Sequence, residues 1–155
     1  MEHVTNINDP PVVEFVSVSM EFHESGPTRP AGPIFFDLNR KDADGNPKTT
    51  ELKVVEKSIA RLCVKFRVLN NAVIGLKVVT GVKVLKDVFR EEEVFGAYRA
   101  DPNTIITEYT PWVEQPSGFF ARRGHFAGKL YFSDVQKIVH LQLDVKLKIS
   151  SSDWD

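Results

Sequence analysis

Three observations predict an all-β protein built as a sandwich of antiparallel strands. Residues 62–68 alternate strictly, with Leu62, Val64, Phe66 and Val68 on one side and Arg61, Cys63, Lys65 and Arg67 on the other. That is the period of a half-buried strand. The last stretch repeats it: Leu141, Leu143, Val145, Leu147 and Ile149 face one way, His140, Gln142, Asp144, Lys146 and Lys148 the other. Turn chemistry recurs at short intervals between the apolar runs, and almost no segment holds a helical period. Seven to nine short strands of this kind imply two sheets packed ~10 Å apart.

In chain order, residues 1–11 are polar and end in Asp9-Pro10-Pro11, which blocks regular structure; they read as a flexible lead-in to one domain over 12–155. Residues 12–22 form the first strand, with Val16, Val18, Met20 and Phe22 inward. A loop holding Pro27, Pro30 and Pro33 leads to a second strand around Ile34, Phe36 and Leu38. The 42–47 stretch, Asp-Ala-Asp-Gly-Asn-Pro, is an exposed loop tip. After a short apolar run at 52–55 comes the strand around Phe66, a turn at Asn70-Asn71, and a run with Ile74, Leu76 and Val78 on one face. Gly81 breaks that run before a third short one at 82–85. Residues 84–95 are ambiguous, because Val84, Leu85, Val88 and Phe89 fit a helical spacing while Val94 and Phe95 resume a strand. A loop at 100–103, a strand at 105–109 stopped by Pro111, a turn at Pro116-Ser117-Gly118, an inward Phe119-Phe120 and a strand at 129–132 precede the final strand.

At 155 residues and 42% hydrophobic content, the chain has room for a real core. A formal charge of −1 with no basic cluster gives no footprint for nucleic acid. The single Cys63 forms no internal disulfide, and the N-terminus carries no secretory leader, so the expected setting is reducing and cytoplasmic. No run approaches the ~18 apolar residues of a membrane span.

Chemistry is sparse. His3, His23, His125 and His140 are scattered without metal-ligand spacing. Cys63 shares a face with Arg61 and Lys65 but has no histidine near it in sequence to act as a base. The Asp42–Asn46 stretch starts like a calcium loop, yet its twelfth position is Lys53 rather than an acid. Residues 96–128 hold glycines but no phosphate-cradling motif. Arg122-Arg123 and Glu91-Glu92-Glu93 read first as solvated charges, the glutamates being also a natural place to receive a basic peptide. The expectation is a non-enzyme without cofactor or metal.

Several segments together resemble the Rho GDP-dissociation inhibitor family. They are Lys65-Phe66-Arg67-Val68, Val73-Ile74-Gly75-Leu76-Lys77, Gly81-Val82-Lys83-Val84, Val94-Phe95-Gly96-Ala97-Tyr98, and the run from Tyr109 through Thr110-Pro111-Trp112 to Gly118. Ala121-Arg122-Arg123-Gly124, His140-Leu141 and Asp153-Trp154 continue the likeness, and Asp9-Pro10-Pro11-Val12-Val13 and 32–38 (Gly-Pro-Ile-Phe-Phe-Asp-Leu) fit the start of the folded domain.

The resemblance implies an immunoglobulin-like sandwich whose sheets part at one end to hold a prenyl chain. It implies a partner too: a prenylated Rho-family small GTPase, lifted from the membrane by its geranylgeranyl tail with only transient membrane contact. Carried over by position, Leu38, Phe66, Leu76 and Val145 would line the pocket. Leu62, Val64, Leu141 and Leu143 share those inward faces by parity, and Ile106 approaches from a neighbouring strand. Glu91, Glu92, Glu93 and Asp134 would form an acidic rim for the GTPase's basic tail.

Each pocket residue is equally at home in a plain core, since a core and a lipid pocket share a composition. The chain also departs from the family. The family's long N-terminal arm has only about ten residues in its place, which bears on inhibition of GDP release more than on prenyl binding. Leu143 and Val145 stand where the last strand usually carries aromatics, and the 100–103 loop and Trp112 differ. The alternative is therefore a protein-interaction sandwich with a collapsed core and no lipid site.

Overall fold

The computed structural model describes residues 3–4, 12–24, 32–39, 43–45, 48–84, 87–114 and 125–150. Among them lie eleven strands in two sheets: β1 (His3–Val4), β2 (Val13–Phe22), β3 (Ile34–Phe35), β4 (Thr49–Val55), β5 (Ile59–Val68), β6 (Val73–Val84), β7 (Asp87–Tyr98), β8 (Asp101–Tyr109), β9 (Val113–Glu114), β10 (His125–Ser133) and β11 (Ile138–Ser150). One sheet runs β1-β11-β10-β6-β7 with β4 also on β11; the other runs β3-β2-β5-β8 with β9 also on β5. All pairings are antiparallel except those of β1 and β4 with β11. This is the immunoglobulin-like sandwich, somewhat richer in strands than the sequence suggested.

The two strands with the clearest alternation sit at the centre of their sheets, where one face must be dry. In β5, Leu62, Val64, Phe66 and Val68 are buried, and Leu141, Leu143 and Ile149 are buried in β11. All of these but Ile149 join Val18, Leu76, Phe132 and others in one core cluster.

Elsewhere the alternation slips, because β-bulges insert a residue and reverse the parity beyond it. In β2 the register shifts between Phe15 and Ser17. Val16, expected inside, is therefore 41% exposed, and Phe15 turns inward against Phe66 and Phe132. In β6 the register shifts on both sides of Leu76, and Gly75 takes φ +68°. Ile74 consequently lies outside the core and Val73 within it.

Gly81 does not break β6, since it pairs with Lys129 and Arg90 in an unbroken ladder. In the ambiguous stretch Val84 ends β6 and residues 87–95 belong to β7, where Val88, Phe89 and Val94 pair with β6 rather than lie in a helix; Leu85 and Lys86 lie outside the described residues. The expected 100–103 loop is already strand from Asp101, whose carboxylate accepts hydrogen bonds from Asn103 N at 3.2 Å and Thr104 Oγ1 at 2.7 Å.

His3 and Val4, within the expected lead-in, pair with Ile138 and Val139. The Pro27–Pro30 loop, Asp42, Pro116-Ser117-Gly118, Phe119-Phe120, Arg122-Arg123 and the C-terminal Asp153-Trp154 lie outside the described residues.

Candidate functional site: a cleft at one end of the sandwich

Inward-facing side chains divide the space between the sheets into two halves. In one half Phe15, Phe66, Phe132 and Tyr98 form a chain of rings, with centroids 6.2 Å apart for Phe15–Phe66, 4.8 Å for Phe15–Phe132 and 5.1 Å for Phe66–Tyr98. Such contacts fill volume densely. In the other half the inward positions include Ala60 on β5, Thr80 on β6 and Gly128 on β10, which carry little or no side chain. Here the sheets border an open apolar cavity of about 900 Å³, within the range of small-molecule pockets.

Its walls follow the strands. Ala60 and Leu62 come from β5, Met20 from β2, Val78 and Val82 from β6, Leu130 and Phe126 from β10, and Val145, Leu147 and Ile149 from β11, with Leu52 and Phe36 at the back. The lip is the segment from Thr110 to Glu114 on one side and Glu91, Glu92 and Glu93 of β7 on the other. Thr110 pins its side of the lip to β5. Its Oγ1 accepts from Leu62 N at 2.8 Å, and its own N–H donates to Leu62 O at 3.0 Å. On the outer surface the Arg61 guanidinium stacks between Tyr109 and Trp112, 4.0 and 4.2 Å from their ring centroids, and donates to Glu21 at 3.0 Å. His23 meets the Trp112 ring edge-on at 4.9 Å. Trp112 thus holds the lip from outside the cavity.

Below the cleft the two sheet edges are joined. The Tyr98 hydroxyl on β7 donates to Glu108 Oε2 on β8 at 3.0 Å. Burial pushes the Tyr98 phenol well above its usual range, and the neighbouring Glu108 carboxylate pushes it the same way.

The structure places the expected pocket residues in two groups. Leu62 and Val145 line the cavity. Val64, Phe66, Leu76, Leu141 and Leu143 are buried in the core cluster beside or beneath it, and Leu38 and Ile106 pack against that cluster, all seven outside the lining. Residues that the sequence reading did not single out line it instead, notably Met20, Val78, Val82, Phe126, Leu130, Leu147 and Ile149. Parity had placed Met20, Leu147 and Ile149 inward and Val78 on the face of Leu76; which end of each strand faces the gap was the missing information.

The acidic residues also divide. Glu91, Glu92 and Glu93 border the cavity. Asp134 lies on the turn after β10, at the far end of that strand from Phe126. It accepts from Gln136 N at 2.8 Å and Ile138 N at 3.3 Å, and contacts His140 Nε2 at 2.9 Å. The side chains of Asp134 and His140 are both largely buried, so that carboxylate is committed to the turn.

Cys63 is buried on the outer side of β5. Burial raises its thiol pKa, and the charge of Glu21 adds to the rise, the reverse of an activated nucleophile. Among the described residues no group of three or more His, Cys, Asp or Glu is placed to hold a metal ion, and no helix is long and apolar enough to cross a membrane.

Comparison with known proteins follows the same lines. The family model for the RHO protein GDP dissociation inhibitor matches residues 1–152. The Rho GDP-dissociation inhibitor of Saccharomyces cerevisiae is 31% identical over 122 residues, covering 76% of this chain and 59% of that protein. The chain therefore spans about three-fifths of the length of that curated relative. A Niemann-Pick type C2 protein from the Japanese carpenter ant covers 92% of the chain and is itself covered to 96%, at 10% identity and a TM-score of 0.48, a likeness too low to build on.

Proposed function

Because the chain belongs to the Rho GDP-dissociation inhibitor family, a family of regulatory inhibitors rather than enzymes, we propose that its sandwich binds the prenylated C-terminus of a Rho-family small GTPase, extracts that GTPase from membranes and keeps it soluble in the cytoplasm. The observation that carries the reading is the apolar cavity with glutamates at its mouth. A geranylgeranyl chain of about 20 carbons, at ~0.8 kcal/mol per buried CH₂, brings on the order of 10 kcal/mol or more. The membrane offers a comparable gain, so extraction turns on the difference between the two sites plus contacts to the GTPase.

In this reading Leu62, Val145 and the cavity walls around them touch the lipid. Val64, Phe66, Leu76, Leu141 and Leu143 form the packed body against which it rests, with Leu38 and Ile106 at the margins. Glu91 and Glu93 face the basic residues beside the prenyl group, and Asp134 takes no part in the rim.

A fluorescent geranylgeranylated peptide with a basic C-terminal sequence, titrated into wild-type protein and Val145→Asp, tests it. Val145 is half-buried in the cavity wall, where a carboxylate stays in reach of water but meets the lipid. Saturable binding that the folded variant loses supports the reading; no binding by folded wild type sinks it. Charge reversal at Glu91 and Glu93 should weaken binding and flatten its salt dependence. The alternative, an interaction sandwich with a collapsed core, requires the space between the sheets to be filled, and the open cavity counts against it.

A further inference from the structure

β7 has one ladder partner. β6 pairs along it from Val73 opposite Tyr98 to Val84 opposite Asp87, and among the described residues no strand pairs with its other side. An open edge of 12 residues is a row of N–H and C=O groups ready to template another strand, and natural sheets seldom leave one so long without protection.

The register fixes where the side chains of this edge point, because residues directly opposite each other share a face. Glu93 is opposite the buried Val78 and Glu91 opposite Thr80, so both face the cleft. Glu92 is opposite Val79 and faces outward, where Arg90 at 2.9 Å and Lys77 at 3.5 Å neutralise it. Among the described residues neither Glu91 nor Glu93 has an ion-pair partner. The edge therefore combines unpaired backbone groups with uncompensated carboxylates at every second residue, ~6.6–6.8 Å apart along the strand, at the mouth of an apolar cavity.

We propose that the free edge of β7 receives an extended basic peptide as an added strand of the sheet, with Lys or Arg at alternate positions opposite Glu91 and Glu93. This rests on the prenyl-tail reading and specifies how the peptide next to the lipid is held. The charges select the occupant. A neutral or acidic strand leaves both carboxylates uncompensated, and a second copy pairing edge to edge across a two-fold axis sets glutamate against glutamate, which disfavours it. A strand added ~4.8 Å beyond β7 also lies across the gap toward the Thr110–Glu114 lip, covering a cleft whose sheets are ~10 Å apart. Lipid burial and strand addition are thereby coupled.

Backbone methylation separates strand pairing from mere charge attraction, because it removes an N–H and keeps the side chain. The probes are a geranylgeranylated peptide with Lys at alternate positions, the same peptide N-methylated at one residue at a time, the same basic peptide without its lipid, and geranylgeranyl cysteine methyl ester as the lipid alone. Methylation at every second residue should weaken binding about three- to tenfold per position, the range expected for one hydrogen bond, with the intervening positions tolerant. Hydrogen exchange should slow at alternate amides between Arg90 and Val94. If the lipid ester binds but methylation has no effect at any position and the β7 amides are unchanged, strand addition is overturned and the prenyl reading stands. If neither lipidated probe binds while the unlipidated basic peptide still protects alternate β7 amides, the prenyl reading falls and strand addition stands. Failure of every probe overturns both.

Discussion

Phe66→Ala tests the division of the sandwich into a packed half and an open half. The Phe66 ring is fully buried and contacts Phe15 and Tyr98, at 6.2 and 5.1 Å between centroids. Truncating such a ring costs about 3–5 kcal/mol, transfer and residual cavity together. A domain holds ~5–15 kcal/mol in all, so the loss is a large share of it. For a chain of this size each kcal/mol moves the midpoint by ~2–4 °C; Phe66→Ala should therefore melt about 6–20 °C below wild type. Circular dichroism at 218 nm during heating, with urea unfolding beside it, measures the shift. Val145→Ala, at the cavity wall, removes fewer packed atoms and should move the midpoint much less. A Phe66→Ala midpoint within ~3 °C of wild type would mean the ring has open space beside it, and that the cavity extends through the aromatic cluster. Phe66→Asp, the obvious pocket-blocking change on sequence grounds, is the wrong probe, because an unpaired carboxylate at a fully buried site disrupts the fold before it tests the lipid.

Three further outcomes follow from local geometry. Gly75→Ala should destabilise by about 1–2 kcal/mol or more, because φ +68° disfavours any Cβ and the added carbon meets the Val135 side chain; a midpoint equal to wild type in thermal unfolding would refute it. Tyr98 holds its proton more tightly folded than unfolded, so its contribution is intact below the unfolded pKa of 10.0 and is lost as pH rises beyond it. Tyr98→Phe should lose stability at neutral pH through the Glu108 bond, yet show a shallower decline above pH 10 in urea titrations; parallel declines would count against the coupling. Native Cys63 should alkylate with iodoacetamide at pH 8 far more slowly than the urea-unfolded chain, since burial disfavours its thiolate; equal rates would place the thiol at the surface.

Much of the sandwich was legible because its central strands cannot avoid alternation. β5 and β11 are flanked on both sides, so one face of each is turned to the other sheet: every second residue from Ala60 to Val68 is buried, and from Leu141 to Ile149 every second residue is buried or half-buried. Legibility fell where one residue changes parity. Val16 and Gly75 sit at bulges, and nothing in an apolar run such as 73–79 announces which residue is extra, although a glycine able to adopt positive φ is a usable hint. The helical spacing of Val84, Val88 and Phe89 was an accident of sequence that strand pairing overrode, and pairing is non-local. The Arg61–Tyr109–Trp112 stack was likewise invisible, since its members meet only when β8 folds back along β5.

The cleft is a harder case, and the reason is physical. Leucine and valine on an inward face fit a filled core and a lipid pocket equally well, so identity at those positions carries no vote. Occupancy is decided by the volume of the smallest inward residues and by which of them share a level between the sheets. Ala60, Thr80 and Gly128 line the cavity, with Gly128 two residues along β10 from the Leu130 that faces Thr80, whereas Phe15, Phe66, Phe132 and Tyr98 meet ring to ring outside that lining. Gly128 lies across from Val82 on one side and Val145 on the other, so its missing side chain leaves room in the middle of a wall. The rings close the opposite half and Tyr98 ties its edges. That leaves the mouth between β7 and the Thr110–Glu114 lip, where β7 has a free edge and Glu91 and Glu93 stand without ion-pair partners among the described residues. A cavity that admits a lipid and an edge that admits a basic strand open on the same side because the same strand, β7, forms both boundaries.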